Sequence, residues 1–383
     1  MLFEEIIGNS SVKKQLIQAV RNNRISHAQL FSGKSGSAKL ALALAYAQFL
    51  NCLSRNEVDS CGTCSSCLKF NSLSHPDLHL IIPVLKTKEV QRPISDHFIV
   101  QWRDFITNNY YGSLNGWIDS FGTENKTGQQ GKIYKDEANN IHKKLILKNF
   151  EAEYRVVLIW MPEKMNLEVS NKLLKLFEEP PKGTIFLLIT ENSNQLLPTI
   201  NSRLQTINIT DFTNEDIVNH FVDHNLSLEK AMQLRSLTNA DLGKITQILM
   251  NKEVELDFFS DFSIWMRLAY KMDIQGISKW VDSLASKGRK HQNLFFSYAI
   301  KMIRECLVYN FGSSTLLKNN ENEFAFLTKF SLFIHEENSV MIVEKLEESI
   351  KAINRNANAK ILFFELSLQM VKLLRLKRKF AIK

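Results

Sequence analysis

Residues 28–45, AQLFSGKSGSAKLALALA, run from an apolar segment through a short glycine-containing loop into an alanine- and leucine-rich stretch. That order calls for a strand, a tight turn and a helix folded back on the strand, and so for a sheet with helices on its faces. The loop has nearly the form G-x-x-x-x-G-K-[ST]. In that form backbone amides cradle phosphates, the lysine reaches the β and γ groups, and the hydroxyl ligates magnesium. The corresponding residues here are Gly33, Ala38, Lys39 and Leu40. Ala38 adds a methyl where backbone must approach phosphate, and Leu40 offers no oxygen to a metal. Lys39 and the positive end of the following helix leave room for weak phosphate binding.

The alternation continues over the first 210 residues. Strands are predicted at 27–33 (HAQLFSG), 77–84 (DLHLIIPV), 154–161 (YRVVLIWM) and 184–191 (TIFLLITE). Helices are predicted between them, among others over Lys39–Leu53 and Leu167–Glu179, the latter stopped by Pro180-Pro181. After about residue 211 strand signals vanish. Short helices are predicted over 214–249 and longer amphipathic ones from about Phe258 onward. A chain of 383 residues exceeds the size of one growing core, so two or three domains are expected. Residues 86–130 break the pattern, being too long for an ordinary connection. Their aromatic residues Trp102, Phe105, Tyr110, Tyr111 and Trp117 suit either packing onto the parent domain or stacking on bases.

A hydrophobic fraction of 44% with 23% charged residues is that of an ordinary globular protein, and no apolar run approaches a membrane span. The N-terminal MLFEEIIGNSSVKKQ is amphipathic and starts acidic, unlike a secretory signal, so a cytoplasmic location is expected. The net charge of +8 is compatible with a polyanionic partner, although it is spread thinly.

Four of the five cysteines, Cys52, Cys61, Cys64 and Cys67, are spaced C-x8-C-x2-C-x2-C. Two-residue gaps let backbone turns bring thiolates onto one tetrahedral ion, and four thiolates close its shell, which makes a structural zinc site. Disulfides do not suit a cytosolic chain, and iron–sulfur clusters use other spacings. Cys306 lies on the apolar stretch 294–309 and is expected in a core.

The cysteine module following a phosphate-loop helix is succeeded by His75-Pro76-Asp77, by NKLLKLFEEPPKGTIFLLIT from Asn171, and by LLPTINSRLQ from Leu196. In this order the chain resembles the clamp-loader branch of the AAA+ ATPases, and within it the delta'-type subunits of bacterial DNA polymerase III. The later segment NANAKIL, 356–362, is similar to a short signature in the last helical domain of that branch. The resemblance implies an α/β AAA+ core over 1–210, with a zinc module at 52–67 and an insertion at about 86–130 that has no counterpart in the family's minimal pattern. It further implies a small helical lid over 211–255 and an all-α collar over 256–383 that joins a five-subunit ring.

Aligned on the family, Trp160 and Met161 stand where two acids hold magnesium and orient the attacking water, with Glu163 the one acid nearby. Gly243 stands where the lid carries a nucleotide-sensing arginine, beside Lys244, and Thr190 where a polar sensor sits. ATP and magnesium are therefore not expected to be productively bound, and no catalysis by this chain is expected. Ser202-Arg203 is similar to the family's Ser-Arg-Cys motif, with Leu204 replacing cysteine, and implies an arginine finger for a neighbour's nucleotide. A salt bridge between Arg203 and a local carboxylate is the plainer role. The implied partners are gamma/tau-type ATPase subunits and the delta subunit of the holoenzyme, and, through the complex, the sliding clamp and primed DNA. Two rivals remain open: an active gamma-type clamp-loader ATPase, and a zinc-dependent single-strand nucleic-acid-binding protein using the aromatic insertion.

Overall fold

The structure, a computed structural model, describes residues 1–122, 130–223, 231–232, 234–235, 238, 240–250, 258–312, 321–355 and 357–376. The chain divides into two compact units, Met1–Arg235 with Asn239–Met250, and Asn251–Lys383 with Ser236–Thr238. The lid expected at 211–255 falls within the first unit as far as Met250.

In the first unit α1 (Ser10–Arg21) precedes β1 (Ala28–Ser32), α2 (Lys39–Leu50), α3 (Ser65–Asn71) and β2 (Leu78–Ile81). The insertion forms α4 (Ile99–Asn108) and α5 (Leu114–Ser120), and α6 (Lys135–Ile146) follows. Then come β3 (Arg155–Trp160), α7 (Leu167–Glu178), β4 (Thr184–Thr190), the short α8 (Pro198–Asn201), β5 (Gln205–Asn208), α9 (Asn214–Asp223) and α10 (Leu242–Met250). The five strands form one sheet in the order β2-β3-β4-β1-β5, with every neighbouring pair parallel. Central β3 and β4 are buried along their whole length, as unbroken apolar runs with both faces covered must be. Helix α2 is buried on every side, because alternating alanine and leucine give it no polar face. It lies against β1, β3 and β4. On the other side Val169, Leu173 and Phe177 of α7 meet Val157, Ile159, Phe186 and Leu188 of the sheet.

Two differences from the sequence reading have local causes, and one open alternative, packing or base stacking by the insertion, resolves to packing. The helix begun at Lys39 ends at Leu50 instead of Leu53, where the Asn51 side chain donates to the Tyr154 carbonyl and accepts the Tyr154 amide, both at 3.0 Å. The edge strand β5 was not predicted: its sequence QTIN buries only Ile207 and lacks an apolar run. The insertion packs onto its own domain. Trp102 and Trp117 are fully buried, Trp102 lies 5.9 Å from Trp160, and the Trp117 indole donates to the Pro83 carbonyl at 2.7 Å. Rings so enclosed cannot stack on bases. Residues 123–129 of the insertion lie outside the described residues.

The second unit contains α11 (Phe258–Lys271), α12 (Ile274–Ser286), α13 (Arg289–Asn310), α14 (Glu321–Phe330), α15 (Glu336–Asn354) and α16 (Ala359–Leu373). Trp265 and Trp280 stack with centroids 4.9 Å apart, and Cys306 is buried in the same apolar core. Asn358, in the expected collar signature, caps α16 by accepting from the amides of Lys360 and Ile361. Its neighbour Asn356 lies outside the described residues. Among the described residues no helix is long and apolar enough to cross a membrane.

Candidate functional site

The cysteine cluster forms where α2 runs out and α3 begins. Cys52 follows the end of α2, and Cys64 caps α3 by accepting from the Cys67 amide. The four sulfurs lie within 4.8 Å of one another. Sulfurs held about 2.3 Å from a tetrahedral centre would be about 3.8 Å apart. The Cys52–Cys61 and Cys61–Cys67 sulfurs are 3.6 and 3.9 Å apart. Three sulfurs also accept main-chain amides, Cys52 from Cys61, Cys61 from Cys64 and Cys64 from Cys67, at 3.2, 3.3 and 3.4 Å. Amides of Cys64 and Thr63 bring the Cys61 thiol down to about 6, whereas burial pushes Cys67 up. Spacing, sulfur chemistry and amide donors together suit a tetrahedral metal ion, consistent with structural zinc.

The phosphate loop is held at the C-terminal end of the sheet. The Gly33 amide donates to the Thr190 carbonyl at 3.2 Å, tying the loop to β4. Lys39 is only 4% exposed, and its Nζ donates to the Lys34 carbonyl at 2.7 Å and approaches Glu191 Oε1 at 3.5 Å. Burial lowers the Lys39 pKa, opposed by Glu191. Leu40, Ala38, Trp160 and Met161 are all buried. Thr190 donates to Glu163 Oε2 at 2.9 Å, and the Glu191 amide donates to Glu163 Oε1 at 3.1 Å. Burial raises the Glu163 carboxyl above its ordinary value. The acid nearest the Trp160–Met161 corner thus has both oxygens engaged by β4 and its continuation.

The segment around Asp241 reaches this loop and the insertion reaches that segment, and sequence reasoning found neither contact. Asp241 is buried against Gly36: a Cβ there would stand 2.0 Å from Asp241 Oδ1, so only glycine, with its φ of +71°, is accommodated. Gly243 is equally enclosed, since a Cβ there would stand 2.2 Å from the Tyr111 carbonyl oxygen. Asn109 of the insertion donates to the Gly243 carbonyl at 3.0 Å. Partners 134 residues apart leave no signal in a single sequence beyond the glycine itself.

Arg203 stands apart from this cluster. It follows α8 and precedes β5, whose Gln205 pairs with Gln29 near the start of β1. It therefore lies off the N-terminal end of the sheet, whereas Gly33 lies off the C-terminal end of β1. Its Nε donates to Glu178 Oε1 at 2.6 Å, and Nη1 donates to the Thr199 carbonyl at 2.7 Å and to Ser202 Oγ at 3.2 Å. The two charged side chains are 35% and 45% exposed. Glu178 is the last residue of α7, before Pro180-Pro181.

The protein family described as "DNA polymerase III, delta subunit" matches residues 8–213, a span that takes in the loop, the cysteines and Arg203. The DNA polymerase III subunit delta' of Bacillus subtilis is 30% identical over 244 residues, covering 63% of this chain and 59% of that one. The subunit delta' of Pseudomonas aeruginosa is 31% identical over 178 residues, covering 46% and 41%. The DNA polymerase III subunit tau of B. subtilis is 26% identical over 263 residues, covering 68% of this chain and 38% of that one. The aligned region spans less than two thirds of the length of each of these relatives. With more than half of its length matched, and with delta' subunits among its relatives, the chain belongs to the DNA polymerase III delta-subunit family, as a delta'-type clamp-loader subunit.

Proposed function

We propose that this chain is a clamp-loader subunit that does not hydrolyse ATP itself and that donates Arg203 to the nucleotide of a neighbouring ATPase subunit. In this reading it completes the ring with gamma/tau-type and delta subunits and takes part in loading a sliding clamp onto primed DNA. The observation that carries the reading is the separation of Arg203 from the chain's own phosphate loop by the sheet, combined with Leu40, Trp160 and Met161 at the magnesium side. None of those three side chains offers an oxygen to a metal or takes a proton, so the loop lacks what phosphoryl transfer needs.

Arg203 is suited to act elsewhere. Its pair with Glu178 is partly exposed, and such pairs are worth about 0–1 kcal/mol. A phosphate presented by a neighbour accepts two guanidinium bonds at once and displaces such a partner readily. The bonds to the Thr199 carbonyl and Ser202 Oγ hold the head of the side chain near the surface meanwhile. Cys52, Cys61, Cys64 and Cys67 would hold zinc, which supplies folding energy and no open coordination position.

The test is magnesium-dependent ATP turnover by the purified chain, compared with the complete ring. Turnover by the isolated chain at no more than the uncatalysed background is the expected outcome. Sustained turnover by the chain alone would make it an ATPase in its own right, with metal ligands other than those aligned here.

A further inference from the structure

We infer that the cysteine cluster is also a redox switch: a hydroperoxide closes Cys61 and Cys52 to a disulfide, the metal ion is released, and the turn at 150–152 loosens. The inference does not depend on whether the chain hydrolyses ATP.

The cluster is shielded unevenly. Cys52 and Cys67 are buried, whereas Cys61 and Cys64 are partly exposed. The Cys61 sulfur lies 3.6 Å from that of Cys52 and 3.9 Å from that of Cys67, so a thiol within reach of solvent stands beside both buried ones. Cys52 is the nearer of the two and sits in irregular chain just past α2, whereas Cys67 is fixed within α3. Closing 3.6 Å to a disulfide bond takes about 1.5 Å of movement, within the range of side-chain rotation.

The chemistry balances with hydrogen peroxide as the oxidant. The Cys61 thiolate attacks one peroxide oxygen, the O–O bond breaks, and hydroxide departs, leaving a sulfenic acid on Cys61. The Cys52 thiolate then attacks the Cys61 sulfur, the S–S bond forms, and a second hydroxide departs. Two thiolates have given up two electrons, and two protons from solvent turn the hydroxides into water. Cys64 and Cys67 alone leave a tetrahedral shell half filled, so the ion is no longer held. A dithiol reductant returns both thiols, which suits a transient bond in a reducing compartment.

The loss is transmitted through α3, which Cys64 caps and Cys67 anchors to the cluster. Lys69 of α3 donates to both Glu151 oxygens at 2.6 and 2.8 Å, and the Phe70 ring stacks on His75 with centroids 4.5 Å apart. His75 Nε2 lies 3.3 Å from Glu151 Oε1, and its Nδ1 accepts the Asp77 amide at 3.1 Å. The buried Asp77 carboxylate in turn accepts the amides of Phe150, Glu151 and Ala152 at 2.7, 2.9 and 2.9 Å. Metal, α3 and this turn thus form one connected structure.

The experiment treats the zinc-loaded full chain with a small excess of hydrogen peroxide and follows released zinc with a chromogenic chelator. Remaining thiols are alkylated and tryptic peptides mapped by mass spectrometry. Cleavage after Arg55 puts Cys52 on a different peptide from Cys61, Cys64 and Cys67, so the expected bond joins two peptides. One Cys52–Cys61 disulfide, one zinc released per chain, and reversal by dithiothreitol with zinc are expected. Hydrogen exchange at the amides of 150–152 is expected to quicken about tenfold or more on oxidation. Zinc retained under peroxide, or a bond confined to Cys61, Cys64 and Cys67, would overturn the switch. Unchanged exchange at 150–152 in the oxidised chain would overturn its transmission. Lys69→Met keeps all four thiols and is expected to quicken exchange at those amides before any oxidation; no change there would remove the route through α3.

Discussion

The phosphate loop and Arg203 are both charged sites on the rim of one sheet, yet they are built in opposite ways. Around the loop the buried charged groups are engaged by their own chain: Lys39 by Lys34 and Glu191, Glu163 by Thr190, and Asp241 by the Lys244 amide. At the other end Arg203 is partly exposed, and its one carboxylate partner, Glu178, is more exposed still. The first arrangement keeps its buried charges internal; the second leaves a guanidinium partly exposed in a weak pair. A protein that has given up its own nucleotide chemistry while serving a neighbour's would differ between these two sites in this sense.

Metal removal is the most drastic way to disturb this contrast. Helix α2 carries the loop at its N-terminus, and Cys52 follows its C-terminus, so the cluster braces the closed side from behind. Replacing Cys61 and Cys64 by serine is expected to abolish metal binding, taking content from about one zinc per chain to near zero. Atomic absorption together with thermal unfolding measures this; an unchanged metal content would remove the assignment.

Next in size is Trp102→Ala. The indole is fully buried against Trp160, so its loss should leave a cavity and cost about 3–5 kcal/mol in denaturant unfolding. A cost below about 1 kcal/mol would mean that the insertion is only loosely laid over the domain. The smallest effect is expected on the open side. Glu178→Gln should change stability by less than about 1 kcal/mol, since it weakens one partly exposed pair. A larger loss would show Glu178 to be structural and Arg203 to be committed to it.

Much of this contrast could be read from residues alone, and the remainder could not, for physical reasons. Strands β1 to β4 are apolar runs bounded by turns, and each was legible. The cysteines were legible too, since their spacing dictates how turns bring them together. Strand β5 was not, because an edge strand needs only one buried residue, Ile207. The loop's departures at Ala38 and Leu40 were visible as missing chemistry, as was Arg203 as a motif. What packs around the loop was not visible. Asp241 and the Asn109–Tyr111 turn come from segments far apart in sequence, and an aspartate or tyrosine in a polar stretch carries no mark of its distant contact. Gly36 and Gly243 were the nearest thing to a signal, as positions at which close approach forbids a side chain.

The central claim is that the open side acts on a neighbour. Its most direct test is ATP turnover by a ring reconstituted with cognate gamma/tau-type and delta subunits, clamp and primed DNA, comparing wild type with Arg203→Ala in this chain. The account predicts an Arg203→Ala chain that folds and joins the ring normally, with turnover at the neighbouring site reduced by roughly 10³-fold or more, the scale of a lost arginine finger. Because other sites in the ring keep their own fingers, the neighbouring site is isolated by disabling the remaining ATPase subunits. Undiminished turnover there would contradict the account and leave Arg203 as the partner of Glu178 alone.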